Sequence, residues 1–230
     1  VGIIEVVAGG GRIAWVDAGG ALKVGGQSAG AAPGPVCYAR GGNEPTVTDA
    51  NLVTGRLNPT RFLGGEFDLD TAGAKAAIEQ RIGKPLNLPL MEAACGIIRI
   101  TDARMSFAVR AITLQRGYDP RRFAMVAFGG AGPLHAMAIA RELHIPRVII
   151  PPQPGHFSAL GMLLTDLRQD FVQTRVTDLA GLSTAHLNEN FASLEKQGRA
   201  SIAREGYAAE AVTLIRSMDA APLLFAPLAS

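Results

Sequence analysis

The sequence predicts an α/β fold, and three observations support this prediction. Two short apolar runs, at 123–128 and 147–150, have the length and composition of buried strands. Between them, Pro133 suits the first position of a helix, and the apolar residues that follow have amphipathic spacing. Hydrophobic residues make up 48% of the chain and charged residues 18%, which is typical of a globular protein.

The first 60 residues are predicted to form strands and one long loop. Residues 3–7 have the pattern of a strand and run into a glycine-rich segment. Two further strands, at 13–16 and 22–24, flank an Asp-Ala-Gly-Gly turn, which is typical of a β-hairpin. From 25 to 58 the chain is rich in Gly and Pro, and a loop of this length inside a domain is more often functional than idle.

Helical periodicity and capping residues predict the remaining elements. A strand is expected at 211–217, near the end of the chain. The predicted helices, in order, are a short one capped by Thr48 or Asp49 that ends at Leu57, one capped by Thr71 that ends near Gly83, a long one from about Leu90 to Arg116, one beginning at Phe157 or Ser158, and an amphipathic one over 183–205.

The glycine-rich turn between the two apolar runs is the strongest candidate for a site. Gly129, Gly130 and Gly132 lie between a strand and a helix, where the backbone can approach a ligand closely. A dinucleotide fingerprint is excluded, because His135 occupies its third glycine position and the second strand ends in prolines. A phosphate-binding loop ending in Gly-Lys-Ser/Thr does not occur in the sequence.

Four single residues have both a functional and a structural interpretation. His135 fits contact with a phosphate or ribose as well as a packing or capping role, and both remain open. A structural role is favoured for His156, and helix capping for Asp49 over a base or metal ligand. Burial is favoured over a nucleophilic role for Cys37. The sequence shows no metal-ligand spacing and assigns no catalytic residue.

Composition excludes several classes of partner. The formal net charge of +2 gives no reason to expect binding to nucleic acid or to an anionic membrane. No apolar run approaches the ~20 residues of a membrane span. Two cysteines do not form a disulfide framework, and buried thiols in a cytoplasmic protein are the expected outcome.

Several long motifs taken together resemble one family. The segments "AGGGRIAWVDAGGALKVGGQSAGAAPGPVCYARGGNEPTVTDANLVTGRLNP", "QRGYDPRRFAMVAFGGAGPLHA" and "PGHFSALGMLLTD" are similar to the ATP-dependent hydantoinase A / 5-oxoprolinase family over about residues 3–219. The resemblance implies the C-terminal lobe of an actin-like (ribonuclease H-like) ATPase, a mixed sheet with flanking helices. This domain would cover 1–175, and 176–230 would begin a following region with an atypical tail at 220–230.

The resemblance also implies an activity. Family members use ATP and Mg²⁺ to open cyclic amides such as hydantoin or 5-oxoproline, or to carboxylate ketones as subunits of a carboxylase. The implied partners are a cyclic amide substrate and a hydantoinase B-type subunit, and self-association is expected. The residues expected to bind adenosine are Gly129, Gly130, Gly132 and Pro133, with His135 beside them.

The sequence departs from the family pattern at the expected phosphate loops. The resemblance implies two Asp-x-Gly-Gly-Thr loops upstream that hold most of the Mg²⁺ and phosphate contacts, and neither is in this sequence. Asp17–Gly20 has the wrong residue, Ala21, in the threonine position and fits a hairpin turn instead. Gly9, Gly10 and Gly11 are predicted to contact phosphate or substrate. A catalytically inactive binding or structural fragment of a longer enzyme is the alternative.

Overall fold

The computed structural model describes residues 6, 8–174 and 183–218 and confirms the α/β class. The chain divides into two compact units, 1–164 and 165–230. The domain boundary inferred from the family resemblance stays a prediction. In the part of the chain that the structure describes, no helix is long and apolar enough to cross a membrane.

The predicted β-hairpin is confirmed. Strands β1 (Arg12–Val16) and β2 (Leu22–Ser28) pair antiparallel. Their turn is built by Asp17, whose carboxylate accepts hydrogen bonds from the backbone N–H groups of Gly19 and Ala21 at 3.0 and 2.9 Å. These bonds lower the pKa of the Asp17 carboxyl, the one from Ala21 most strongly. The segment therefore serves as a turn, as its sequence predicts.

The next helices begin and end at slightly different residues from those predicted. Helix α1 (Val47–Val53) is capped by Thr46 rather than by Thr48 or Asp49, and it ends before Leu57. Helix α2 (Thr71–Ile78) is capped by Asp70 and continues through a π-helical turn (Glu79–Gly83) into a single helical turn, α3 (Lys84–Leu86). The observed caps lie before the predicted ones, by two residues or more for α1 and by one residue for α2, because a cap lies outside the helical residues.

The long helix α4 (Leu90–Leu114) confirms the prediction from its periodicity, although it ends two residues early. Its apolar stripe packs against the hairpin, α1 and α2. Together these elements enclose one hydrophobic core, whose larger members are Val24, Val47, Leu52, Leu69, Ile78, Ile82, Ile97 and Ile98.

The region after α4 contains a second, parallel pair of strands. Strands β3 (Ala124–Val126) and β4 (Arg147–Ile149) pair in register, and α5 (Gly132–Leu143) connects them. Helix α6 (Phe157–Leu164) begins where the sequence predicts.

The prediction that these two strands are buried is wrong for this chain. Ala124, Val126, Arg147 and Ile149 alternate with the inner residues and form one exposed face, called here the open face of the β3–β4 sheet. The two apolar runs have the composition of buried strands. A strand is buried only when another element covers each of its faces, and the local sequence does not show whether such an element is present.

The second unit is built around one helix. Helix α7 (Thr184–Arg204) is capped by Ser183, close to the predicted range. Arg216 makes a hydrogen bond to Glu195 of this helix, and Gln169 makes one to Glu205, the residue just after it. The strand expected at 211–217 does not form. The expectations for 3–7, apart from residue 6, and for the tail at 220–230 lie outside the described residues.

Candidate functional site

The glycine turn lies at the carboxyl ends of the two parallel strands. Gly129 has a φ of +86°, which glycine adopts without steric cost. Its N–H donates a 2.7 Å hydrogen bond to the carbonyl of Pro154, in the turn that follows β4. The loops after β3 and β4 are thus tied together at the edge of the sheet where ligands bind in open parallel sheets.

The space in front of this turn is open. A Cβ atom built on Gly129, Gly130 or Gly132 would meet no atom of the described chain within 4 Å. Gly132 also begins α5, with Pro133 in its first turn, and within the described residues no side chain caps this end. The first N–H groups of the helix and its dipole therefore favour a negatively charged group here.

The glycine triplet near the N-terminus lies beside the same turn. The carbonyl of Gly10 accepts a 2.8 Å hydrogen bond from the N–H of Thr48, at the start of α1. A Cβ on Gly10 would lie 2.6 Å from Thr48 Oγ1 and 3.9 Å from Ala131 Cβ, so a side chain at Gly10 would force the Thr48 side chain to move. The structure therefore brings together two glycine segments that are about 120 residues apart in sequence.

The neighbours of Gly10 differ in what surrounds them. A Cβ on Gly9 would meet nothing within 4 Å in the part of the chain described. Gly11 is more enclosed, since a Cβ there would lie 3.3 Å from Ser28 Oγ, and its carbonyl accepts a hydrogen bond from Ala29 N–H at 2.9 Å. Gly9 is thus the member of the triplet with the most room for a ligand.

His135 lies in the first two turns of α5 and is completely buried. Its Nδ1 is 2.6 Å from Asp102 Oδ1 on α4, and its Nε2 is 3.4 Å from Asn51 Nδ2 on α1. Both ring nitrogens therefore have partners inside the protein. A direct contact between this side chain and a ligand would require the helices to part.

Sequence reasoning missed Asn51 and Asp102. Asp102 lies 33 residues from its partner and Asn51 lies 84 residues away, so no local spacing links them. The available signal was the run of polar residues on the buried side of α4, where Thr101, Asp102 and Ser106 follow Ile97 and Ile98.

Asp49 and Cys37 have structural roles. The Asp49 carboxylate is buried and accepts hydrogen bonds from Val36 N–H, Cys37 N–H, Thr46 N–H and Thr46 Oγ1 at 2.8 to 3.2 Å. It completes a capping box with Thr46 and fixes the Gly/Pro-rich loop to α1. Burial and the nearby Asp49 charge raise the pKa of the Cys37 thiol far above its usual range, which disfavours the thiolate that a nucleophilic role needs.

His156 is exposed in the short 3₁₀ helix Pro154–His156 after β4. This helix is part of the loop that Pro154 ties to the glycine turn. In the described ranges no group of three or more His, Cys, Asp or Glu side chains could hold a metal ion.

Comparison with known proteins extends these observations. Residues 1–171 match the family model described as Hydantoinase/oxoprolinase. The chain is 43% identical to an uncharacterised protein of Methanocaldococcus jannaschii, over 95% of this chain and 31% of that protein. It is 41% identical to the caprolactamase subunit alpha of Pseudomonas jessenii, over 87% of this chain and 29% of that subunit.

Two solved structures are similar as well. Nucleotide-free acetone carboxylase superposes with a TM-score of 0.74 at 30% identity, over 90% of this chain and 30% of that chain. The ATP-dependent caprolactamase of Pseudomonas jessenii superposes with a TM-score of 0.64 at 39% identity, over 88% of this chain and 30% of that chain. The chain thus spans less than a third of the length of these relatives. It belongs to the hydantoinase/oxoprolinase family.

Proposed function

We propose that this chain supplies the adenosine-binding part of an ATP site in an enzyme that hydrolyses cyclic amides. The observation that carries the proposal is the convergence of the turn Gly129–Gly132 with Gly10, at the carboxyl ends of two parallel strands. Exposed glycine backbone beside a helix N-terminus is the arrangement that proteins use to approach a nucleotide closely.

The proposed fold assignment is the C-terminal lobe of an actin-like ATPase. Support comes from the order of strand, double-glycine turn, helix, strand and a second helix with small residues. In this assignment, Gly129, Gly130, Gly132 and Pro133 contact adenosine, and Gly9 faces the phosphates or the substrate. His135 contributes from beneath the turn, because its side chain is enclosed.

The proposed role of ATP follows from the poor electrophilicity of an amide carbon. Transfer of the γ-phosphoryl group to the amide oxygen breaks its bond to the bridging oxygen of ADP and activates the carbon. One water then adds to that carbon, the ring C–N bond breaks as nitrogen takes a proton, and a second water hydrolyses the acyl phosphate. The residues of this chain bind and orient the nucleotide for the first step.

Further parts of the proposal concern groups outside this chain. Mg²⁺ is proposed to accompany the phosphates, held by carboxylates that the described residues do not supply. A hydantoinase B-type subunit is the proposed partner. The enzyme is proposed to act in the cytoplasm, where ATP is available.

A second candidate reaction is ATP-dependent carboxylation of a ketone. The similarity to acetone carboxylase, with its TM-score of 0.74, favours it. In that reaction an enolate or bicarbonate oxygen would accept the phosphoryl group, and the same nucleotide site would serve. The higher sequence identity to the caprolactamase, 39% against 30% for the two structures, favours the cyclic amide.

The nucleotide site is tested by calorimetric titration of the chain with magnesium-ATP and magnesium-ADP. A Cβ atom on Gly130 would meet no described atom within 4 Å, so Gly130→Val is expected to keep the fold while it obstructs a ligand. We expect binding by the wild type and at least a tenfold loss in this variant, which corresponds to about 1.4 kcal/mol.

Gly19→Val is the matched control, because Gly19 lies in the exposed hairpin turn and a Cβ there meets only Asp17 Oδ1 at 3.4 Å. Equal affinities of Gly130→Val and the wild type would contradict the assignment of the turn. A folded chain that gives no heat with either nucleotide would favour an inactive binding or structural fragment.

The reaction class is tested on the complete assembled enzyme. Release of phosphate is measured with caprolactam, hydantoin and 5-oxoproline, and separately with acetone or acetophenone plus bicarbonate. Stimulation by a cyclic amide alone supports hydrolysis. Stimulation that requires both the ketone and bicarbonate overturns hydrolysis in favour of carboxylation.

A further inference from the structure

Three polar side chains meet in the interior beneath the glycine turn. Asn51, Asp102 and His135, called here the polar triplet, come from α1, α4 and α5, and their exposed fractions are 1%, 9% and 0%. Most of the other buried residues of these helices are apolar. Burying such groups is unfavourable unless they are hydrogen-bonded, and directional bonds fix the relative position of the helices that carry them.

The donors and acceptors of the triplet define one protonation state. Asn51 Nδ2 lies 3.1 Å from the carbonyl of Val47 and 3.4 Å from His135 Nε2, so it donates to both. Turning the amide over would place its oxygen against that carbonyl, which is also an acceptor. Nε2 therefore accepts, and Nδ1–H donates to Asp102 Oδ1 at 2.6 Å, which gives a neutral imidazole.

The triplet lies one helical turn from both glycine segments. His135 follows Gly132 by three residues on α5. Asn51 follows Thr48 by three residues on α1, and Thr48 N–H holds the carbonyl of Gly10. The spacing of α1 and α5 at the level of the triplet thus sets the gap between the two glycine segments.

Three hydrogen bonds outside the triplet also hold α5 against its neighbours. Arg56, just after α1, donates from Nη1 to the carbonyl of Leu134 at 3.4 Å. On the other side of α5, Glu142 accepts hydrogen bonds from Ser106 Oγ at 2.7 Å and Arg110 Nη2 at 3.3 Å, both on α4. Helix α5 is therefore held by polar contacts near both ends, and its hydrogen bonds to Asn51 and Asp102 lie at the end that carries the turn.

We propose that His135 is a positioning residue: as a neutral Nδ1–H imidazole between Asn51 and Asp102, it sets the separation of the glycine segments and hence the affinity for nucleotide. The inference rests on the nucleotide site proposed above. It adds roles for Asn51 and Asp102 and a tautomer for His135. Asn51 Oδ1 has no hydrogen-bond partner among the described residues, so the hydrogen bonds that the amide makes there are the two that it donates.

The first test reads the tautomer directly, without nucleotide. Ring nitrogens of the ¹⁵N-histidine-labelled chain are observed by long-range ¹H–¹⁵N correlation, and the His135 signals are assigned by their absence in His135→Gln. We expect a protonated Nδ1 and an unprotonated Nε2. A ring protonated at Nε2, alone or together with Nδ1, would overturn the proposal.

The second test compares two substitutions. One replaces an amide by a carboxylate, and the other replaces a carboxylate by an amide. Asn51→Asp removes the donor to Nε2, whereas Asp102→Asn keeps an oxygen that accepts from Nδ1–H. Mutations that shift packed elements change coupling to a distant ligand by about 2- to 30-fold. We expect Asn51→Asp to weaken binding of magnesium-ADP within that range, and Asp102→Asn, which keeps an acceptor for Nδ1–H, to weaken it less than Asn51→Asp does.

Ile139→Val separates positioning from a general loss of stability. Ile139 is a buried apolar residue of α5 that is not part of the triplet. Its truncation is therefore expected to lower the melting temperature and to leave the triplet intact. We expect its ADP affinity to match that of the wild type. If Asn51→Asp fails to fold, as its melting curve would show, Asn51→Leu replaces it, since leucine removes the same donor without adding charge.

The outcomes are distinct. Equal ADP affinity of the folded Asn51 variant and the wild type overturns the positioning role and leaves the nucleotide site standing. Equal losses in the Asn51 variant and Ile139→Val also overturn it, because they show an effect of stability alone. A wild type that does not bind ADP overturns the nucleotide site and this inference together, whatever tautomer the spectra show.

Discussion

The first hundred residues and the segment from 123 to 164 differ in how completely they are covered. In the first region the hairpin, α1, α2 and α4 enclose a core whose larger members are almost fully buried. In the second, two strands have one face covered and one face open, and α6 exposes Leu163 and Leu164. The candidate site lies where these regions meet. Its backbone therefore comes partly from a region with a fully covered core and partly from a strand pair with one uncovered face.

This difference shows that apolar composition predicts which segments can be buried, but not which other elements cover them. A parallel strand pair with an apolar outer face is stable in larger sheets, where neighbours cover both faces. The relatives are about three times as long as this chain, which leaves ample polypeptide for such neighbours. The open face is thus a surface suited to cover by further protein.

The largest expected effect contrasts one isoleucine from each region. Ile97→Ala removes a fully buried side chain of α4 and is expected to lower the free energy of unfolding by about 2–5 kcal/mol. Ile149→Ala truncates a half-exposed side chain of the open face and is expected to cost under about 1 kcal/mol. Urea denaturation of both variants measures the contrast, and equal losses would show that the open face is covered in solution.

The second effect concerns self-association through the open face. Val126 and Ile149 lie side by side in the strand register and are both half exposed. We expect the wild-type chain to associate, and Ile149→Lys to weaken that association at least tenfold, or about 1.4 kcal/mol. Sedimentation velocity over a concentration series measures it. Lys23→Ala, on the exposed side of the hairpin, is the control, and a monomeric wild type would contradict the expectation.

The smallest effect comes from the raised pKa of Cys37 in the first region. The unfolded chain begins to ionise its thiol above about pH 8.5, while the folded chain keeps it protonated. Stability is therefore lost as the pH rises, and between pH 8.5 and 9.5 the wild type should lose about 1 kcal/mol more than Cys37→Ala. Urea denaturation at both pH values checks this, and identical pH dependence would show that Cys37 is not enclosed.

Much of the fold could be predicted from local pattern. The hairpin follows from Asp17 and the glycines after it, because an aspartate can bond its own turn. Helices α4 and α7 follow from their periodicity, and burial of Cys37 is expected because no histidine or carboxylate lies near it in sequence. These features depend on residues that are close together in sequence.

The rest depends on contacts between distant residues. The contact of Gly10 with Ala131 and the bonds of His135 to Asn51 and Asp102 join separate helices and loops. A single amino-acid sequence does not indicate which polar residues pair across such distances. Both glycine segments could therefore be selected as candidates, but their convergence and the buried support beneath them required the structure.

The position of the core within the chain has a consequence for biosynthesis. All of its members lie before residue 99, so the hairpin, α1, α2 and the first half of α4 are complete before β3 leaves the ribosome. Domains generally fold as units during synthesis, from the N-terminus onwards. The growing chain would then carry Asn51 and Asp102 on helices that are already packed, and the emergence of His135 would join the parallel strand pair to a preformed scaffold.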